Sequence, residues 1–161
     1  ADIKLFNRKI LPSVQPTHAT SDMYWAEDRL GSDRLLGAYA YKTLLDQSSR
    51  IALGTDFPVE EVSPIMTFYA AIARMDKKGF PNSGYLPQNK LSRYDALSGM
   101  TIWGAYFNFE EDEKGSIESG KVADFVILDR DIISIAEKNI PKVRVVATIL
   151  DGNIVYSNRI N

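Results

Sequence analysis

The sequence predicts an α/β fold that gives way to a β segment near its C-terminus. Over residues 1–109, short apolar strands alternate with amphipathic helices, an order typical of a parallel sheet with crossover helices. From residue 110 onward, turns and valine- and isoleucine-rich runs indicate strands. Because the first part holds only two clear strands, which cannot close a barrel, the architecture is expected to be incomplete by itself.

Helix caps and breakers order the elements of the first part. Ser63 before Pro64 predicts a helix start, since serine is a good N-cap and proline suits the first helical position. The spacing of Ser92 and Asp95 is that of a capping box, and Gly31 suits a helix end. The predicted elements are the end of a helix (1–9), a strand (10–14), a polar loop (17–22), helices (23–30 and 34–47), a strand (50–56), a helix (64–77), a loop (78–90) and a helix (92–107).

The C-terminal part is predicted to end in a β-hairpin. The dipeptide Asp151-Gly152 separates two strand-like runs, 143–150 and 153–156, and is a strong hairpin signal in that setting. A further strand is predicted over 123–128. Such hydrophobic strands leave unpaired edges unless more chain or a second copy covers them.

Composition excludes several classes of function. The 161 residues carry 19 Lys and Arg against 21 Asp and Glu, so binding to nucleic acid or to a membrane surface is not expected. Apolar runs are shorter than the roughly 20 residues that cross a bilayer, and the chain is expected to be soluble. The absence of cysteine removes thiolate metal sites and cysteine nucleophiles. No Gly-rich phosphate loop or nucleophile elbow is present, so nucleotide binding and serine hydrolysis are not expected either.

Two side chains of metal-ligating type follow consecutive predicted strands. His18, the only histidine, lies just past the first strand, and Asp56 ends the next. The C-terminal ends of parallel strands converge on one face, so the two side chains are expected to meet there. Imidazole and carboxylate suit zinc, manganese or iron, although a catalytic zinc usually takes three protein ligands. Alternatively, His18 is a structural hydrogen-bonding group and residues 54–56 form an ordinary turn.

Weaker candidates lie on the segments that follow. Arg29 could reach an anionic substrate group, although an arginine near a helix C-terminus also suits the helix dipole. Trp25 and Tyr24 could line a pocket or serve only in packing. Glu60 and Glu61 could form an acid–base pair, but adjacent side chains usually point apart.

Three segments resemble the C-terminal part of metal-dependent hydrolases of the amidohydrolase superfamily, most closely the amidohydrolase family 3 proteins. They are SVQPTHATSD (13–22), ALGTDFPV (52–59) and KGSIESGKVADFVILD (114–129). The resemblance covers nearly the whole chain in colinear order. The third segment is a specific motif that leads into the small β domain of those proteins.

The resemblance implies the C-terminal portion of a (β/α)8 metallo-hydrolase barrel plus the terminal β segment of a small β-sandwich domain. Residues 1–109 would hold the last barrel strands and helices, and residues 110–161 the β segment. His18 matches the metal-ligand histidine of strand six. Asp56 matches the strand-eight aspartate, which binds metal and takes a proton from the attacking water. The implied reaction is hydrolysis of an amide-like C–N bond through a metal-activated water.

The other ligands of that family are absent from this chain. A complete member also has a His-x-His pair on the first strand, a bridging lysine or acidic residue near the fourth and a histidine on the fifth, all of which would precede residue 1. The full-length protein is expected to hold a divalent metal, zinc by preference, and to act on a small amide-type substrate. The chain alone is expected to bind metal weakly or not at all, to be inactive and to self-associate. Two alternatives are a non-catalytic assembly module derived from such an enzyme and a non-metal α/β binding protein.

Overall fold

The computed structural model describes residues 2–6 and 10–158, and two short parallel strands lie at the centre of its first half. Ser13 is opposite Ala52 and Val14 is opposite Leu53. Helices join the strands and follow the second one. The elements are β1 (Ser13–Val14), α1 (Pro16–Ser21), α2 (Ala26–Leu30), α3 (Ser32–Leu35), α4 (Tyr41–Ser48), β2 (Ala52–Leu53), α5 (Pro64–Ala73), α6 (Arg93–Met100) and α7 (Ile102–Phe107), with 3-10 turns at Asp2–Leu5, Asp22–Tyr24 and Pro87–Asn89.

The predicted alternation of strands and helices is confirmed, but several bounds differ. The predicted polar loop over 17–22 is wrong, because Pro16 occupies the first position of α1, which continues to Ser21, and Asp22 begins a 3-10 turn. The predicted helix over 34–47 is two helices, separated at Tyr39, whose φ of 50° is left-handed. The predicted helix end over 1–9 is a 3-10 turn at Asp2–Leu5, and Ala1 and residues 7–9 lie outside the described residues.

The predicted caps lie at helix starts, and Gly31 follows the end of α2 as predicted. The hydroxyl of Ser63 accepts a hydrogen bond from the backbone N of Met66, and that of Ser92 accepts one from the backbone N of Asp95. The predicted helix over 92–107 is interrupted at Thr101, whose hydroxyl donates to the carbonyl of Leu97. Such bonding of a hydroxyl to the preceding turn bends helices.

The hydrophobic core surrounds α5. Phe68 and Ile72 of this helix are buried and pack in one cluster with Ile51, which precedes β2. Helix α6 lies directly on β2, since a Cβ atom at Gly99 would sit 2.7 Å from Cγ of Leu53. The strand that leads to Asp56 is therefore in close contact with α6.

The C-terminal part folds as a three-stranded antiparallel sheet in the order β3-β4-β5. The predicted hairpin is confirmed, and Asp151 and Gly152 have the positive φ angles, 48° and 74°, that a tight hairpin turn requires. A 3-10 segment, Glu137–Lys142, returns to the helices and buries Ile140 in the core around α5. The strands are β3 (Phe125–Leu128), β4 (Val145–Leu150) and β5 (Asn153–Ser157).

Within the described part of the chain, no helix combines the length and the apolar character needed to cross a membrane.

Candidate functional site

The two parallel strands carry His18 and Asp56 to the same edge of their sheet. His18 lies in the first turn of α1, four residues after Val14, and Asp56 lies three residues after Leu53. The structure brings the two side chains together, with Nε2 of His18 3.1 Å from Oδ2 of Asp56. Since β1 and β2 are parallel neighbours, their C-terminal ends open on one side, where both residues follow.

The contact between these two atoms is close but is not aligned as a hydrogen bond. Nε2 of His18 is shielded from solvent and has no hydrogen-bond partner in the described structure, despite the nearby Oδ2. Two ligands of one tetrahedral zinc ion, at bond lengths of about 2.0–2.2 Å, lie about 3.3–3.6 Å from each other, and the 3.1 Å between Nε2 and Oδ2 is within a few tenths of an ångström of that range. The spacing, the unpartnered nitrogen and the nitrogen–oxygen donor set therefore fit two ligands of a single divalent cation.

His18 and Asp56 by themselves would supply only part of a ligand set. Across residues 2–6 and 10–158, no group of three or more His, Cys, Asp or Glu side chains is arranged to hold a metal ion. A catalytic zinc usually has three protein ligands and one open position. Further ligands would have to come from outside the described residues.

A tight turn after β2 determines where the carboxylate of Asp56 lies. Asp56 adopts a left-handed conformation, with φ of 59°, which aspartate tolerates better than most residues. Its carbonyl accepts hydrogen bonds from the backbone N of Val59 at 2.8 Å and of Glu60 at 3.2 Å. The hydroxyl of Thr55 accepts one from the backbone N of Phe57. These bonds stabilise a backbone conformation that an isolated chain would rarely adopt.

The adjacent carboxylates of Glu60 and Glu61 have different partners. The hydroxyl of Ser21, at the end of α1, donates a 2.5 Å hydrogen bond to Oε1 of Glu60. Glu61 forms an ion pair with Lys77 instead. The two side chains are thus directed to separate elements, and no shared acid–base site forms between them.

Trp25 and Arg29 are exposed and line one shallow depression beside α2. Trp25 has 48% of its surface accessible. The neighbouring Tyr24 has a defined partner, since its hydroxyl donates to Oδ2 of Asp76 at 2.6 Å and its ring stacks on Phe80. Sequence reasoning did not find this link between the 3-10 turn Asp22–Tyr24 and the loop after α5.

Hydrogen bonds keep Asp76 ionised. Partial burial opposes ionisation, but the Tyr24 hydroxyl and the backbone N–H groups of Phe80 and Lys78 together hold the pKa of Asp76 below its ordinary value. The loop after α5 is therefore anchored by a charged acceptor to the segment that follows α1.

A fully buried arginine supports the segment that carries His18. The side chain of Arg74 donates to the carbonyls of Tyr85 at 2.9 Å and Tyr39 at 3.2 Å, and its guanidinium lies 5.1 Å from the ring centroid of Tyr41. Burial lowers the pKa of Arg74 to about 10 and raises the pKa of Tyr41 to about 12. The Tyr41 hydroxyl donates to the carbonyl of Gln15, between β1 and α1. Sequence reasoning missed this cluster entirely.

A family model described as the amidohydrolase family matches residues 4–156 of the chain. The chain is 32% identical over 143 residues to YtcJ of Bacillus subtilis, an amidohydrolase by name, covering 89% of this chain and 27% of the relative. It is 31% identical over 121 residues to the N-substituted formamide deformylase of Arthrobacter pascens, and this match covers 75% of this chain and 22% of the relative. The chain thus spans about a quarter of the length of these relatives.

A solved structure shows the same fold at similar identity. The crystal structure of an uncharacterized metal-dependent hydrolase from Pyrococcus horikoshii superposes with a TM-score of 0.69 at 32% sequence identity. The superposition covers 80% of this chain and 26% of that one. The mixed α/β arrangement of the described residues is therefore one found in this class of hydrolase.

Proposed function

Because the chain belongs to the amidohydrolase family, we propose that it is the C-terminal part of a metal-dependent hydrolase that cleaves amide-like C–N bonds. The observation that carries the proposal is the pair of His18 and Asp56. Their Nε2 and Oδ2 atoms lie 3.1 Å apart at the shared end of β1 and β2. In the described structure Nε2 has no hydrogen-bond partner, so its lone pair is available to a cation.

His18 and Asp56 would hold a divalent cation through Nε2 and a carboxylate oxygen. Bound there, the cation would lower the pKa of a water molecule and polarise a substrate carbonyl. The chain's own contribution is twofold. His18 offers the lone pair of Nε2, and the second oxygen of Asp56 accepts a proton from the attacking water and returns it to the leaving nitrogen. A nitrogen and a carboxylate oxygen suit zinc, which we take as the ion.

In this proposal residues 1–109 are the last strands and helices of a (β/α)8 barrel, and residues 110–161 are the terminal β segment of a small sandwich domain. The parallel pairing of β1 and β2 with helices between them supports a barrel portion, although direct pairing makes the two strands neighbours instead of the sixth and eighth strands that the resemblance implies. The antiparallel sheet β3-β4-β5 supports the second assignment. The match to about a quarter of each relative fits a chain that is one part of a longer protein.

The proposed substrate is a small amide-type molecule. The relative from Arthrobacter pascens is named for deformylation of N-substituted formamides, which supports this class without defining the member. We assign Trp25 and Arg29 to substrate contact, because both are exposed and border one depression on the segment after His18.

By itself the chain is proposed to be inactive and to self-associate. Strand β5 is exposed along its whole length, including Ile154 and Val155, and no described strand pairs with the outer edge of β3. Light scattering on the purified 161-residue chain is expected to give more than the monomer mass at high concentration. A monomer mass over the whole concentration range would contradict self-association.

Metal analysis of the full-length hydrolase tests the assignment of His18. We expect His18→Ala to weaken zinc binding by more than about 100-fold, since even groups that only support a ligand contribute 10- to 100-fold. Gln47→Ala, an exposed change on α4, serves as the control. Zinc content is measured by mass spectrometry after dialysis against a weak chelator. Equal zinc in His18→Ala and the control would reject the metal site and favour the non-catalytic module.

A further inference from the structure

We propose that Ser21 and Glu60 are positioning residues whose mutual hydrogen bond holds His18 and Asp56 at ligand distance. The bond runs from the hydroxyl of Ser21 to Oε1 of Glu60 at 2.5 Å. This role rests on the proposed metal-binding function of the pair. It assigns a task to Ser21 and Glu60 that neither their exposure nor their place in the sequence suggests.

The four residues form a closed ring of contacts. Ser21 lies one helical turn after His18, and its hydroxyl is 3.4 Å from the His18 carbonyl. Glu60 donates its backbone N–H to the Asp56 carbonyl at 3.2 Å. The ring closes through the 3.1 Å approach of Nε2 and Oδ2. A change in the Ser21–Glu60 bond is therefore transmitted directly to both proposed ligands.

Backbone pairing does not extend to the proposed ligands. The parallel ladder ends where the backbone N of Gly54 donates to the carbonyl of Val14, before either ligand. Beyond that point, the Ser21–Glu60 bond is the hydrogen bond that joins α1 to the turn at 56–60 in the described structure. The separation of the two proposed ligands therefore depends on a side-chain contact.

We expect the Ser21–Glu60 hydrogen bond to fix the positions of the two proposed ligands more than it raises the free energy of unfolding. Ser21 is exposed, and exposed polar contacts contribute little to the free energy of unfolding because water competes for both partners. A hydroxyl donating to a carboxylate is nonetheless a short, charge-assisted bond with a narrow preferred geometry. We therefore expect its loss to affect metal binding more than folding.

The test measures Zn²⁺ affinity of the full-length hydrolase by competition with a chromophoric chelator. Ser21→Ala and Glu60→Ala are each expected to weaken Zn²⁺ binding by about tenfold, the lower end for groups that support ligands. The double variant is expected to bind no more weakly than either single variant, since both remove the same bond. Ser21→Thr and Glu60→Gln keep the donor and the acceptor and are expected to restore binding to within about threefold of the native protein.

Two further readouts separate positioning from a general loss of structure. Glu61→Ala is the matched control, because Glu61 is the adjacent glutamate but pairs with Lys77 outside the ring. It is expected to leave Zn²⁺ affinity unchanged. In the Co²⁺-substituted protein, Ser21→Ala and Glu60→Ala are expected to change the visible d–d absorption, which reports ligand geometry, while the far-ultraviolet circular dichroism stays native.

The outcomes distinguish this inference from the function on which it rests. If His18→Ala lowers Zn²⁺ affinity while Ser21→Ala and Glu60→Ala bind as the native protein does, the positioning role is wrong and the metal site stands. If His18→Ala also binds Zn²⁺ like the native protein, the metal site itself is wrong. If Glu61→Ala weakens binding as much as Glu60→Ala, the effect is one of general charge and the positioning role is again wrong.

Discussion

Replacing Asp56 by asparagine in the full-length hydrolase is expected to lower kcat by about 10²- to 10⁴-fold, the usual contribution of a general base. The asparagine side chain has nearly the same shape and keeps one oxygen that can face Nε2 of His18. It cannot accept a proton from water at neutral pH. Since the lost step occurs only in the transition state, KM is expected to change much less than kcat. Steady-state hydrolysis of a panel of N-substituted amides measures both.

Asp46→Asn is the matched control for this prediction. Asp46 lies on α4, where it is exposed and pairs with Lys42 one turn earlier, so the same chemical change is made away from the strand ends. This variant is expected to retain native kcat. Equal kcat values for Asp56→Asn and Asp46→Asn would show that Asp56 takes no part in the reaction.

Gly84→Ala is expected to destabilise the fold by about 2–4 kcal/mol, combining the cost of a left-handed residue with that of overpacking. Gly84 is buried in the loop after α5, with φ of 84°, and an added Cβ would lie 2.4 Å from the carbonyl oxygen of Ala73. That oxygen belongs to the backbone and cannot move aside alone. The shift would also disturb Tyr85, which follows Gly84 and accepts a hydrogen bond from Arg74.

Gly79→Ala separates the two contributions. Gly79 lies in the same loop with φ of 79°, but an added Cβ there would meet no atom within 4 Å. It is expected to lower the free energy of unfolding by only about 1 kcal/mol, the conformational part alone. Urea denaturation followed by circular dichroism compares the two variants. Equal midpoints would show that the close approach at Gly84 is relieved without cost.

Local signals were read correctly from the sequence because their partners are close along the chain. The caps of Ser63 and Ser92 bond to residues three positions later, and the turn at Asp151-Gly152 joins strands that are adjacent in sequence. Element bounds were predicted less well. The start of α1 at Pro16 and the interruption at Thr101 involve local groups, a proline at the first helical position and a hydroxyl bonded to the preceding turn, and both groups also occur where these features do not form.

The buried arginine shows why part of the site could not be predicted. Arg74 follows an alanine-rich helix and is, by residue type, an ordinary candidate for the surface. Its burial depends on carbonyls of Tyr39 and Tyr85, which lie 35 and 11 residues away. No spacing rule links such backbone acceptors to one guanidinium.

The sequence by itself determined that the chain alternates strands and helices, that a histidine and an aspartate follow consecutive strands, and that the chain ends in an antiparallel hairpin. Only the tertiary structure decided that Nε2 of His18 and Oδ2 of Asp56 lie 3.1 Å apart and that Ser21 bonds to Glu60, 39 residues away. The physical reason is the distance along the chain over which each interaction acts. Periodicity and capping act over a few residues, whereas a distance between two loops depends on strand register and on helix packing across the whole core.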